Sequence, residues 1–221
     1  MGETSPTARS RISSGLEFAL AAAVVLGHNV WHVLPNEVPI LALAGIVSVR
    51  VRERGWSALG FRRPASWLRV VLIACAAAAF RIIISDPLEA ALTQFWPAPA
   101  APSLLAPESH DLQWLVATLA LVWTFAAFGE EIAYRGYLTL RCADVLGGSR
   151  LAWLAATMVA ALLFGFGHYY KGPVGVIDSA VAGLILGGAY LLSRRCLWTT
   201  ILAHGLIDTT AVLLLYLGLW S

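Results

Sequence analysis

Seven runs of mostly apolar residues, parted by polar or charged stretches, order this 221-residue chain: 16–34, 38–49, 66–85, 112 to about 140, 151–168, 174–192 and 197–219. Most approach the ~20 residues that an α-helix needs to cross about 30 Å of hydrocarbon. In hydrocarbon each backbone polar group must be satisfied within its own segment, which favours helices. The pattern predicts an all-α fold, a polytopic transmembrane helix bundle of about seven spans (six to eight), forming a single membrane domain over 1–221. Residues 1–14 read as a polar, disordered tail. The run 38–49 is short and must tilt, extend or lie partly buried to cross. The first run is long and lacks a clear small-residue cleavage site, so it reads as a retained anchor rather than a signal peptide.

Charge orients the bundle. Residues 50–69 carry Arg50, Arg52, Arg54, Arg62, Arg63 and Arg69 against Glu53 alone, which predicts a cytoplasmic loop. Arg9, Arg11, Arg194 and Arg195 agree with it, whereas 86–111 holds Asp86, Glu89, Glu108, Asp111, five prolines and no Lys or Arg, as an external loop should. The N-terminus is then cytoplasmic and the C-terminus external. Arg81, near the far end of the third run, is expected to snorkel outward. Trp31, Trp67, Trp114, Trp153, Trp198 and Trp220 fall near run ends, as an interfacial aromatic belt would. Ser179, Gly183 and Gly187 form a small-residue ladder that suits close helix packing within the bundle.

Composition adds exclusions. With 59% hydrophobic and 13% charged residues the chain is no ordinary soluble domain, and a net charge of +2 gives no footing for nucleic acid. All but one of the basic residues are Arg, a usage that points to a bacterial cytoplasmic membrane. Pro6 and the missing C-terminal cysteine argue against lipid anchors. Cys75, Cys142 and Cys196 have no ligand spacing and read as packing residues.

Three polar constellations inside the apolar runs need a reason, because an ionisable group at bilayer depth costs several kcal/mol unless it is paired or faces a polar cavity. The first is Glu130-Glu131-x-x-x-Arg135. On a helix Glu131 and Arg135 share a face and can pair, while Glu130 is rotated away by about 100° and is left over for chemistry. The second is Phe164-Gly-Phe-Gly-His168, and the third His204-Gly-Leu-Ile-Asp208, an imidazole and a carboxylate one turn apart. A buried carboxylate can take a proton from water, an imidazole can hold that water, and a further polar group can donate to the developing oxyanion. Alternatively Glu130, His168 and His204 would ligate zinc and leave one position open to water. His28 and His32 also have one-turn spacing, but no acidic partner is evident within their run, and they read as interfacial.

In order and spacing these motifs resemble the CPBP family, the CAAX prenyl protease and bacteriocin-processing (Abi) intramembrane proteases. The resemblance covers roughly 113–212, the expected catalytic core, and Leu59-Gly-Phe-Arg-Arg-Pro64 looks like a stretch that often precedes it. It implies a membrane endopeptidase in which Glu130 is the catalytic glutamate, His168 its partner on water, and His204 and Asp208 the oxyanion-side pair. Glu131, Arg135 and Phe164 would support the site. It also leaves two routes, a glutamate mechanism with no obligatory cofactor and a zinc-dependent one. Asp208 stands where the family has either Asn or an acidic residue, and an ionised carboxylate cannot donate to an oxyanion. Either Asp208 is protonated, or it orients His204 while the imidazole donates; the one-turn spacing favours the second.

The expected partners are a hydrophobic or membrane-delivered peptide or protein substrate, CaaX-like processing included, and membrane lipid. Two other functions fit part of the pattern: a proton- or ion-coupled transporter, which would predict inverted repeats or broken helices in both halves of the chain, and a catalytically silent immunity or scaffold protein. Helix geometry also raises a conflict. Glu130 lies about 27 Å along its helix from Leu112, whereas His168 closes the next one near the opposite side. The two meet only if 112–118 protrude, the fifth helix starts later or both tilt.

Overall fold

The computed structural model describes residues 8–53, 55–97 and 111–219. Arg54, Glu108, Pro6 and Trp220, and half of the expected external loop, lie outside them. Seven helices occur among the described residues: α1 (Ala8–Asn29), α2 (Glu37–Arg52), α3 (Trp67–Leu92), α4 (Leu112–Val145), α5 (Arg150–Phe166), α6 (Gly172–Leu192) and α7 (Leu197–Tyr216). Side-chain oxygens fix several starts: Asn36, Ser66, Asp111 and Ser149 accept from the backbone N–H groups of Val38, Arg69, Trp114 and Ala152. Five stretches are long and apolar enough to cross a membrane, while α5 is shorter and α2 has 16 residues, about 24 Å of helix.

α4 is the axis of the bundle. Its buried residues Ala127, Ile132, Ala133, Tyr134, Tyr137 and Leu138 build one core with Val25 of α1, Leu41 and Val49 of α2, Phe164 of α5, Tyr190 of α6 and Ile201 of α7. The outward residues are apolar as well, with Leu16, Leu43, Leu72, Leu151 and Leu162 exposed, as lipid-facing positions should be. The middle of α4, Val122–Leu138, winds more widely than an α-helix, closing with the Thr139 N–H bonded five residues back to the Tyr134 carbonyl. Such winding is rare and collects at functional sites. The small-residue ladder packs inside the bundle: a Cβ on Gly183 would sit 3.0 Å from the Ala161 Cα of α5, and one on Gly187 would strike the Thr157 methyl.

Several expectations change. The tail gives way to α1 at Ala8. α3 runs on through Asp86, Pro87 and Glu89, which the charge pattern had assigned to a loop. That extension leaves Arg81 in the body of the helix rather than near its end, and it turns inward to an ion pair with Asp178 of α6 at 2.6 Å. Snorkelling would have required a nearby interface. Arg81→Ala is therefore expected to lower thermal stability by about 1–3 kcal/mol, the cost of leaving a buried partner unsatisfied, and Arg81→Ala/Asp178→Ala to recover part of it. Equal melting points for wild type and the single variant would contradict the pairing.

Arg141 and Asp144, beyond the expected end of the fourth run near 140, belong to α4. Arg141 is fully buried, donating from Nε to Glu17 (2.8 Å), from Nη1 to Glu53 (2.7 Å) and Asp144 (3.0 Å), and from Nη2 to Ser48 (2.6 Å). Arg52 adds a second contact to Glu17 at 2.6 Å. A buried guanidinium is tolerable when its donors are all engaged in this way. Trp31 and Trp67 are exposed as the belt predicts, but Trp153 lies beneath the Arg195 guanidinium at 4.2 Å and Trp198 packs against Phe61 and Trp67.

Candidate active site

The two adjacent glutamates of α4 have opposite environments. Glu131 is fully buried, and its Oε1 accepts from Arg135 Nη1 at 2.8 Å and lies 2.7 Å from His204 Nδ1. Arg135 is itself buried beside the Gly183 carbonyl, its Cζ 4.3 Å above the Phe164 ring. The predicted one-turn pair is thus present and consumes Glu131. Glu130, rotated around the helix, opens onto a cavity of about 200 Å³, and its Oε2 is buried with no hydrogen-bond partner among the described residues.

His168 lies between α5 and α6 and lines the same cavity. Its Nδ1 is 2.9 Å from the Phe164 carbonyl. A carbonyl only accepts, so Nδ1 carries the proton and Nε2 presents a lone pair. Phe164 is the spacer of the site, edge-on to Tyr134 at 5.1 Å and to His204 at 6.1 Å and tilted against His168 at 4.8 Å.

His204 and Asp208 come from α7, which approaches α4 closely at Gly205; a Cβ there would lie 2.5 Å from the Trp123 ring. Trp123 donates from Nε1 to Thr209 at 3.1 Å across the same contact. His204 Nε2 is 3.4 Å from Asp208 Oδ2, so each ring nitrogen faces a carboxylate. The arrangement gives Asp208 a contact suited to orienting the ring. It also means that His204 and Asp208 do not line the cavity that Glu130 and His168 share; they reach the site through Glu131. The expected meeting of Glu130, His168 and His204 at one point is therefore divided into two neighbouring pairs.

That division bears on zinc. A catalytic zinc site needs about three free donor atoms and an open position. His204 commits Nδ1 to Glu131, and among the described residues no three His, Cys, Asp or Glu side chains come together to hold a metal. The residues as arranged do not fit the ion.

Sequence reasoning missed one wall of the cavity. His28 does have an acidic partner, supplied by the next helix: its Nε2 is 3.6 Å from Glu37 Oε2, and its Nδ1 donates to the Leu34 carbonyl at 3.0 Å. Glu37 is buried and accepts from Tyr134 Oη at 3.1 Å. Searching for partners within a run could not find this pair, which forms across the turn 30–36. An acid heading a short apolar run was the available signal. Glu37→Ala should leave the Tyr134 hydroxyl buried without an acceptor, lowering stability by about 1–3 kcal/mol. Glu37→Gln keeps an acceptor and should restore most of it, as thermal unfolding of the three proteins would reveal.

No curated protein and no solved structure matches the chain. Residues 112–210 match the family described as Rce1-like, Type II CAAX prenyl endopeptidase Rce1-like, and that stretch carries Glu130, Glu131, Arg135, Phe164, His168, His204 and Asp208. Over that stretch, a little under half of its length, the chain is similar to the CPBP family of CAAX-protease-type intramembrane peptidases.

Proposed function

We propose that this integral membrane protein is an endopeptidase in which Glu130, with no metal required, activates a water held in the cavity it shares with His168. The single observation that carries the reading is the contrast between neighbours: Glu131 is neutralised by Arg135, while Glu130 lines the cavity and makes no ion pair among the described residues. Glu130 accepts a proton as the water oxygen bonds to the substrate carbonyl carbon. His168 Nε2 accepts the second water hydrogen and fixes the direction of attack. As the C–N bond breaks, Glu130 returns its proton to the leaving amine.

On the other side of Phe164, Glu131 anchors His204 through Nδ1. The longer contact to Asp208 leaves Nε2–H as the donor free to turn toward a tetrahedral oxyanion. Asp208 is then an orienting group. The substrate is a hydrophobic or membrane-delivered peptide, and a CaaX-like tail is one form of it. Charge distribution supports a cytoplasmic N-terminus, with the cavity toward the opposite face.

The test is purified protein in lipid against a library of hydrophobic peptides, prenylated CaaX peptides included, with and without chelator. Cleavage unchanged by chelator is the expected result. Loss on chelation with recovery on adding zinc would overturn the metal-free route, and proton flux without cleavage of any peptide would favour a transporter.

A further inference from the structure

At the end of the bundle away from the catalytic cavity, a pocket of about 380 Å³ is lined by Arg62, Arg63, Arg69 and Arg194 together with Ser66 and Ser193. We propose that this pocket binds the phosphate of an anionic phospholipid headgroup. Its four arginines are exposed and no carboxylate lines it, so the pocket presents a concentrated positive charge at the surface. Arg62 and Arg69 each give one nitrogen to a carbonyl, of Ser57 at 3.2 Å and Leu192 at 3.0 Å. Those bonds hold the side chains in place without neutralising them, and a guanidinium has donors to spare for phosphate.

The pocket is built, not a chance gathering of surface charge. The loop from 56 to 66 is clamped to the α6–α7 turn: the Leu197 N–H donates to the Gly60 carbonyl at 3.0 Å, and Tyr190 Oη to the Leu59 carbonyl at 3.4 Å. Gly60 has φ 99°, and a Cβ there would lie 2.7 Å from the Arg195 carbonyl, so only glycine permits the clamp. On the facing side Arg194 holds φ of 59°, a left-handed conformation that L side chains seldom adopt. Asn or Gly would adopt it more readily.

Location selects the ligand. The pocket lies where α3 and α7 begin and α6 ends, and α6 runs about 30 Å from the cavity end of the bundle to reach it. Exposed Trp67, Leu68, Leu72 and Leu192 flank it along the lipid-facing surface. A phosphate seated among the arginines therefore has an apolar path for its acyl chains, which a free anion does not use. Basic pockets between helix ends bind headgroups in this manner.

The experiment uses full-length protein in neutral detergent, titrated with phosphatidylglycerol, phosphatidylcholine or inorganic phosphate. Bound lipid is read by native mass spectrometry and stability by thermal unfolding. Phosphatidylglycerol should be retained and raise the melting point, whereas phosphatidylcholine and inorganic phosphate should do so much less. Arg63→Gln/Arg194→Asn should bind it roughly tenfold more weakly or worse, while Arg150→Ala, at the same end but outside the pocket, should bind as wild type. Asn suits a left-handed turn, so the double variant should melt no lower than wild type without lipid. Equal effects of the two lipids, an unaltered affinity in the double variant, or the same loss in Arg150→Ala would overturn the site. Inorganic phosphate acting as strongly as phosphatidylglycerol would overturn the lipid as its occupant.

Discussion

Glu130→Gln is expected to reduce peptide cleavage by about 10²–10⁴-fold, the share that a positioned general base contributes, with little change in melting temperature. The two halves of that expectation come from one fact. The Glu130 oxygen at the cavity has no partner among the described residues, so an amide of the same shape breaks no bond but cannot take a proton from water. Cleavage rates of reconstituted wild type and variant, alongside thermal unfolding, measure both. A variant that melts normally and turns over at the wild-type rate would remove Glu130 from the chemistry.

Arg135→Ala should behave in the opposite way, failing through structure. It strands the Glu131 carboxylate at 0% exposure, and breaking a buried pair by deleting one partner costs about 3–5 kcal/mol. The same change removes the cation above Phe164 and loosens His204, whose ring is anchored by that carboxylate. Both the unfolding free energy and the cleavage rate should collapse together. Arg135→Lys keeps the charge but not the planar stack or the second donor toward the Gly183 carbonyl, so it should fall between the two. A loss below 1 kcal/mol in Arg135→Ala would mean that water, not arginine, satisfies Glu131.

Much of this was legible in the order of residues. Runs of apolar side chains marked all seven helices, because a segment that must satisfy its own backbone in lipid has little choice of form. The spacing of Glu131 and Arg135 foretold their pair, and the same spacing left Glu130 unclaimed. What could not be read was set by partners distant in sequence. Arg141 looked like a loop residue because the acids that neutralise it come from α1, from the end of α2 and from one turn along its own helix. Pro87 and its flanking acids looked like the end of α3, yet the helix carries them to Leu92. His28 seemed to lack an acid only while α1 was considered alone. The helix-length conflict between Glu130 and His168 dissolves for a related reason. α4 has 34 residues, more than a bilayer needs, and its first turn at Leu112 stands exposed.

The web around Arg141 has a mechanical corollary. It fastens α1, α2 and α4 together at one end, while at the other α2 meets α4 through the Glu37–Tyr134 contact beside the cavity. Any lateral parting of these helices to admit a peptide must pivot at the riveted end and gape at the other, like shears hinged near the handle, so the widest aperture falls beside Glu130.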